Sequence, residues 1–189
     1  TTIQAGSTNN ITLNRTGNIF SGGVGITSGK NVTLDANASI ALNASTISGN
    51  LQVDLFNEGT ITDGGIITVA GTTSLDAGGI HDTDSAIILD DDHTFTGVVT
   101  IEQGGNVTIN DNGSVLGLAT VTTENVGGDL TLTSGGTFAF ENAVTLNDGE
   151  NLNLTSTGAV TQSADLTIPG STTIQAGSTN NITLNRTGN

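Results

Sequence analysis

The chain opens and closes on the same eighteen residues: Thr1 to Asn18 and Thr172 to Asn189 both read TTIQAGSTNNITLNRTGN. The offset is 172 − 1 = 171, so positions 1–171 form one complete repeat and positions 172–189 begin a second. Whatever path the first turn takes, the chain must be able to start it again at Thr172. That period is far longer than the ~20–50 residues of ordinary solenoid units, which implies a superrepeat built from smaller turns and duplicated as a block. The expectation is a segment of a longer array continuing in both directions.

Within the repeat a smaller unit recurs: Asn or Asp, an aliphatic, a polar residue, an aliphatic. Examples are Asn10-Ile11-Thr12-Leu13, Asn31-Val32-Thr33-Leu34, Asn50-Leu51-Gln52-Val53, Asn106-Val107-Thr108-Ile109, Asp129-Leu130-Thr131-Leu132, Asn151-Leu152-Asn153-Leu154, Asp165-Leu166-Thr167-Ile168 and Asn181-Ile182-Thr183-Leu184. Period-two alternation puts the aliphatics on one face of a short strand and the polar residues on the other. Clusters of Gly, Asn, Asp and Ser follow nearly every unit and supply turn positions. No stretch has helical periodicity.

Units start at positions 10, 31, 50, 106, 129, 151 and 181, and successive starts differ by 21, 19, 56, 23, 22 and 30. The common step is close to 21. Strands at Ile67-Thr68-Val69, Thr73-Ser74-Leu75, Ile87-Ile88-Leu89 and Val99-Thr100-Ile101 would fill the long gap with about three turns. The wide final interval calls for an enlarged loop holding the Asp165 strand, which brings the count to about eight turns per superrepeat. Such a step, with short strands and small side chains, predicts an all-β fold: a parallel β-helix whose turns stack about 4.8 Å apart. Asn at one place in successive turns would form a hydrogen-bonded ladder along the axis. The alternative is two β-sandwich domains per period. Sandwich cores usually carry Trp or Tyr, and this sequence has neither.

With no Trp, Tyr, Met or Cys and only five Phe, the core has to be built from Ile, Val, Leu and Ala. Eighteen acidic residues against three basic ones give a formal charge of −15. That charge excludes the positive surface nucleic acid or an anionic bilayer requires, so neither nucleic acid nor membrane insertion is expected. There is no apolar run of transmembrane length.

Runs such as Asn31-Val32-Thr33-Leu34-Asp35-Ala36, Asp129-Leu130-Thr131-Leu132-Thr133-Ser134-Gly135-Gly136 and Gly158-Ala159-Val160 resemble the β-strand repeats of filamentous-haemagglutinin-like adhesins. These are giant exported surface proteins of Gram-negative bacteria. The resemblance implies a right-handed β-helical shaft, an extracellular location on the bacterial surface and a role in attachment or aggregation.

The main polar concentration is His81-Asp82-Thr83-Asp84-Ser85 followed by Asp90-Asp91-Asp92-His93. Carboxylates this close repel unless solvated or bridged, and Ca²⁺ takes several oxygen ligands. Ile87 and Leu89 point inward on parity, so the strand should end before Asp91 and leave a solvated acidic loop. A Ca²⁺ site drawn from Asp82, Asp84, Asp90, Asp91 and Asp92 is the competing reading. Gly22-Gly23-Val24-Gly25-Ile26-Thr27 approaches a calcium-binding nonapeptide, but Thr27 stands where the ligating Asp would be. Asp90, Asp92 and His93 could also be cast as a polysaccharide-cleaving centre. Arg15, Lys30 and Arg186, which would bind an acidic sugar, lie far from them in sequence. Flat-surface binding through Thr-x-Thr pairs, as in Thr120-Val121-Thr122, is interrupted in other turns by Gln52 and Asn153.

The sequence therefore leads to the expectation of a non-catalytic, cofactor-free structural repeat. It would be a rigid acidic stalk whose partners are adjacent copies of itself and, through a tip elsewhere, a neighbouring cell surface. A calcium-stiffened extender and a polysaccharide-binding or polysaccharide-cleaving β-helix are the alternatives.

Overall fold

The computed structural model describes residues 1–80, 84–112 and 121–189. Among them every regular element is a strand, and the strand ladders are all parallel. Parallel neighbours need a crossover, and here the crossover is the rest of each turn. The strands fall into three columns, one per side of the coil.

The first face stacks β2 (Ile11–Leu13), β4 (Val32–Ala36), β6 (Leu51–Leu55), β8 (Thr73–Asp76), β11 (Val99–Gly104) and β13 (Val121–Val126) in that order. The column continues through a Val126–Leu146 bridge to β16 (Val144–Thr145) and then β19 (Leu166–Thr167). Eight strands on this face mark eight turns, as the spacing of the sequence units requires.

The second face carries the leading halves of β5 (Ile40–Ile47) and β7 (Ile61–Val69). Above them lie β9 (Ile87–Leu89), β12 (Val107–Asp111), β14 (Leu130–Ser134), β17 (Leu152–Ser156) and β20 (Thr172–Gln175). The third face carries β1 (Thr2–Gln4), β3 (Gly25–Ser28), the trailing halves of β5 and β7, and β10 (Thr94–Phe95). It also holds β15 (Phe138–Phe140), β18 (Val160–Gln162) and β21 (Ile182–Thr183).

Register places like on like. Val32, Leu51, Thr73, Val99 and Val121 are successive partners on the first face. On the second, Ile87, Val107, Leu130 and Leu152 do the same. These side chains are buried, and apart from the polar Thr73 they belong to one continuous hydrophobic core from Ile11 to Leu166. Each fully buried Val, Leu or Ile contributes roughly 1.5–3 kcal/mol. The few aromatics of the core concentrate on the third face, where Phe138 and Phe140 meet edge to face with centroids 4.9 Å apart.

Against expectation, the recurring unit does not mark a single column. Asn10, Asn31, Asn50 and Asp165 open first-face strands, Asn106, Asp129 and Asn151 second-face strands, and Asn181 a third-face strand. The interval from Asn50 to Asn106 is thus two turns and one change of face, not three turns. The Asp165 strand is a regular first-face rung and not part of an enlarged loop. Alternation specifies only inside and outside, and all three faces make the same demand.

The expected Asn ladder is present at the corners. Asn10, Asn31 and Asn50 each accept, through Oδ1, the backbone N–H of the next turn, from Asn31, Asn50 and Thr72 at 3.3, 3.0 and 3.0 Å. At the second-face corner Asn106 and Asn151 accept from Asp129 and Ser171 at 2.9 and 2.8 Å. The arrangement needs space in the turn above, which explains the glycine that usually precedes the accepted N–H. A Cβ on Gly71 would lie 2.2 Å from Asn50 Oδ1 and 2.7 Å from the Gly49 backbone. Gly71→Ala is accordingly expected to lower the unfolding free energy by about 1–3 kcal/mol in urea titrations. Gly17→Ala, whose Cβ meets nothing within 4 Å, should stay within about 0.5 kcal/mol of the parent.

Candidate functional site

Four carboxylates come together on the outer side of the first face. Asp35, Asp54 and Asp76 occupy equivalent outward positions in three successive turns and are register partners. With Glu102, Gln103, Thr16 and Phe56 they line a recess of about 350 Å³. Stacked strands bring such carboxylates to roughly 4.8 Å spacing, so they repel. Gln52 Nε2 donates to Asp54 Oδ2 at 2.8 Å, Asp76 Oδ1 accepts the Gly78 N–H at 2.7 Å, and Ser74 Oγ donates to Glu102. Asp35 Oδ1 and Asp54 Oδ1 are buried without a hydrogen-bond partner. Burial holds the Asp54 carboxyl above its ordinary range. The Gln52 bond pulls it back down, and Asp35, Glu102 and Asp76 push it further up.

The acidic loop singled out from sequence is built differently. β9 ends at Leu89, before Asp91 as expected, with Ile87 and Leu89 buried and Asp90, Asp91 and Asp92 exposed. Asp84 is exposed as well, and His81 and Asp82 lie outside the described residues. The Asn110 amide ties the loop down by donating to the Asp90 carbonyl at 3.0 Å and to Asp92 Oδ1 at 3.1 Å. Among the described residues no three Asp, Glu or His side chains are grouped so as to hold a metal ion. Of the cations named above, Arg186 pairs with Asp165 at 2.9 Å, and Arg15 and Lys30 are exposed.

His93 does not belong with that loop. It is fully buried, and its ring packs against Phe95 at 5.6 Å. It sits in a column of polar side chains lining the corner where the chain swings from the second face to the third. At such a corner the strand ladder is interrupted and a buried N–H needs an acceptor. Ser45 Oγ accepts from Ile26 N at 3.0 Å, His93 Nδ1 from Ile67 N at 3.0 Å, and Asp111 Oδ2 from Phe95 N at 3.1 Å. Ser134 and Ser156, the register partners of Asp111 in the next two turns, continue the column. An acceptor at Nδ1 fixes the neutral imidazole with its proton on Nε2. Nε2 lies 2.9 Å from Asp63 Oδ2, although its N–H is not aligned well enough for a hydrogen bond. Asp63 Oδ2 also accepts the Asp91 N–H at 2.9 Å.

These two buried groups respond to pH in opposite senses. Burial lowers the His93 pKa, opposed by Asp63, Asp91 and Asp90. Its contribution is complete above the unfolded value near 6.5 and is lost as pH falls, because the unfolded chain takes the proton first. Burial pushes Asp111 up to about 6, against the bond from Phe95 N. In the window between 3.8 and about 6 the folded chain holds a proton that the unfolded one releases. The Asp111 contribution is therefore present below 3.8 and lost as pH rises through about 6. Asp111 Oδ1 has no partner. Asp111→Asn keeps an acceptor for Phe95 N and removes the buried charge. It should stabilise the chain at pH 7.5 by on the order of 1 kcal/mol, with the gain vanishing below pH 4 in thermal melts across pH.

Parallel ladders on three faces, continuous on the first and second, and an inward aliphatic column define a β-solenoid. The chain matches the model of a family described as repeats of unknown function (DUF5649) over residues 29–102 and 127–189. With more than half of its length matched, it belongs to that family. No curated protein and no solved structure matches it.

Proposed function

We propose that this chain is a spacer: a rigid, acidic, β-helical segment in the shaft of a long bacterial surface adhesin, which holds a binding tip away from the cell. The observation that carries this reading is the continuity of the stack. On the first and second faces strand pairs run without a change of direction from the first copy of the eighteen-residue segment to the second, and β20 in that second copy is itself a rung on the second face. A chain that ends a repeat by pairing in the same coil can be extended by repetition. Eight turns at strand spacing lengthen the shaft by about 38 Å per repeat.

The resemblance of the strand repeats to filamentous-haemagglutinin-like adhesins supports the extracellular setting and the role in attachment. The net charge of −15 suits a shaft that has to stay apart from its neighbours. Removing or adding one copy of the repeat in the displayed protein tests the reading. The height of the tip above the cell surface, measured by electron microscopy of a tip-bound label, should change by about 38 Å per copy, with ligand binding by the isolated tip unaffected. Unchanged height, or loss of a catalytic or sugar-binding activity that resides in the repeat itself, would refute it.

A further inference from the structure

The two identical segments do not sit on the same sides of the coil. At one end Thr2–Gln4 pairs on the third face with β3, and Ile11–Leu13 pairs on the first face with β4. At the other end the equivalent Thr173, Ile174 and Gln175 pair on the second face with β17, and Ile182 and Thr183 on the third face with β18. Both strands of the segment have moved by one face in the same sense. The connection between them is kept: Asn9 N donates to Gly6 O at 3.1 Å, and the equivalent Asn180 N donates to Gly177 O at 2.8 Å. The segment thus travels as a unit with its own turn, placed on different sides of the coil. From Ile11 the first face is revisited seven times, up to Leu166, and the chain then passes the second face before Ile182 joins the third.

We infer that each repeat advances the coil by seven and two-thirds turns, so that successive copies are rotated by one face about the shaft axis. This inference rests on the spacer reading only for its consequence in a long array. The faces are chemically interchangeable enough to permit it, since the Asn-aliphatic-polar-aliphatic unit opens strands on the first and second faces alike. The acidic recess of Asp35, Asp54, Asp76 and Glu102 is then carried to each side of the shaft in turn, returning to its starting side after three copies. Repulsion acts in every direction, and no single flat face runs the length of the shaft to stick to another. A bend within one copy is also turned by a third at the next, so it winds around the axis and does not build into an arc.

The absence of cysteine makes a disulfide test direct. Thr161 and Thr183 are register partners on the third face, and both are exposed. Had the repeat spanned a whole number of turns, Ile182 would follow Leu166 on the first face and Thr183 would stand beside Thr167. Stacked strands lie about 4.8 Å apart, within the Cα separation a disulfide accepts. Under mild oxidation the pair Thr161→Cys and Thr183→Cys should cross-link at least tenfold faster than the pair Thr167→Cys and Thr183→Cys. The same preference should hold in a chain extended by a second full repeat, where the segment is interior. Equal rates, or a faster 167–183 link, would overturn the inference. Seven and two-thirds turns and eight turns differ in length by only about 2 Å, so the height measurement and the cross-linking can fail independently.

Discussion

Phe140→Ala is expected to remove about 3–5 kcal/mol of stability. Phe140 is fully buried, on the face that holds the aromatic residues of the core. Its edge-to-face partner Phe138 lies on the same strand two residues earlier. Loss of the ring forfeits its transfer free energy and leaves a cavity that short strands fixed by ladders above and below cannot close. In a solenoid each turn contacts only its neighbours, so the damage should be local. Hydrogen exchange should accelerate most in β15, β18 and the turns next to them, while β4 and β6 keep their protection. Phe56→Ala is the comparison, because Phe56 is 65% exposed. Its truncation should stay within about 0.5 kcal/mol. An equal loss in the two variants would refute the assignment of Phe140 to a close-packed core.

His93→Ala is expected to be of similar size at pH 7.5, for a different reason. The truncation leaves the buried Ile67 N–H without an acceptor, a loss of about 1–3 kcal/mol, and opens a cavity beside Phe95. Together these give about 3–5 kcal/mol. The deficit should shrink between pH 7.5 and pH 5, because the parent chain loses the His93 contribution over that range and the variant has none to lose. His93→Gln, which restores an acceptor of comparable length, should recover part of the loss without the pH dependence. Urea titrations of the three proteins at both pH values decide this. A deficit that is the same at both would show that His93 does not enter the fold as a neutral acceptor.

Much of the fold is legible in the residues alone. The parity of Ile87 and Leu89, the strands at Ile67–Val69, Thr73–Leu75 and Val99–Ile101, the parallel stack and the Asn ladder all follow from local alternation and turn chemistry. The assignment of strands to faces does not, because Asn-Val-Thr-Leu states which residues are inside and says nothing about which of three equivalent sides they occupy. That depends on corners whose geometry is set by neighbouring turns.

The site is legible only in part, although signals for the rest are there. Adjacency to Asp92 groups His93 with the acidic loop, yet His93 shares the parity of Phe95 in the strand that follows, and both are buried. Asp111, Ser134 and Ser156 likewise continue the inward alternation of the aliphatics before them, at Val107-Ile109, Leu130-Leu132 and Leu152-Leu154. A polar residue on core parity is the mark of this corner. The acidic recess has a signal of its own: Asp35, Asp54 and Asp76 follow one another at intervals of 19 and then 22, each the length of a turn. Neighbouring carboxylates in sequence draw attention to Asp90, Asp91 and Asp92, whereas in a coil the closest charges are one turn apart.

Small-angle scattering from chains of one, two and three repeats separates a continuous coil from a string of domains. A continuous β-solenoid predicts that the longest dimension grows by about 38 Å with each copy, at a constant cross-section. Growth of roughly 70 Å or more per copy, as two sandwich domains placed end to end would give, would contradict it.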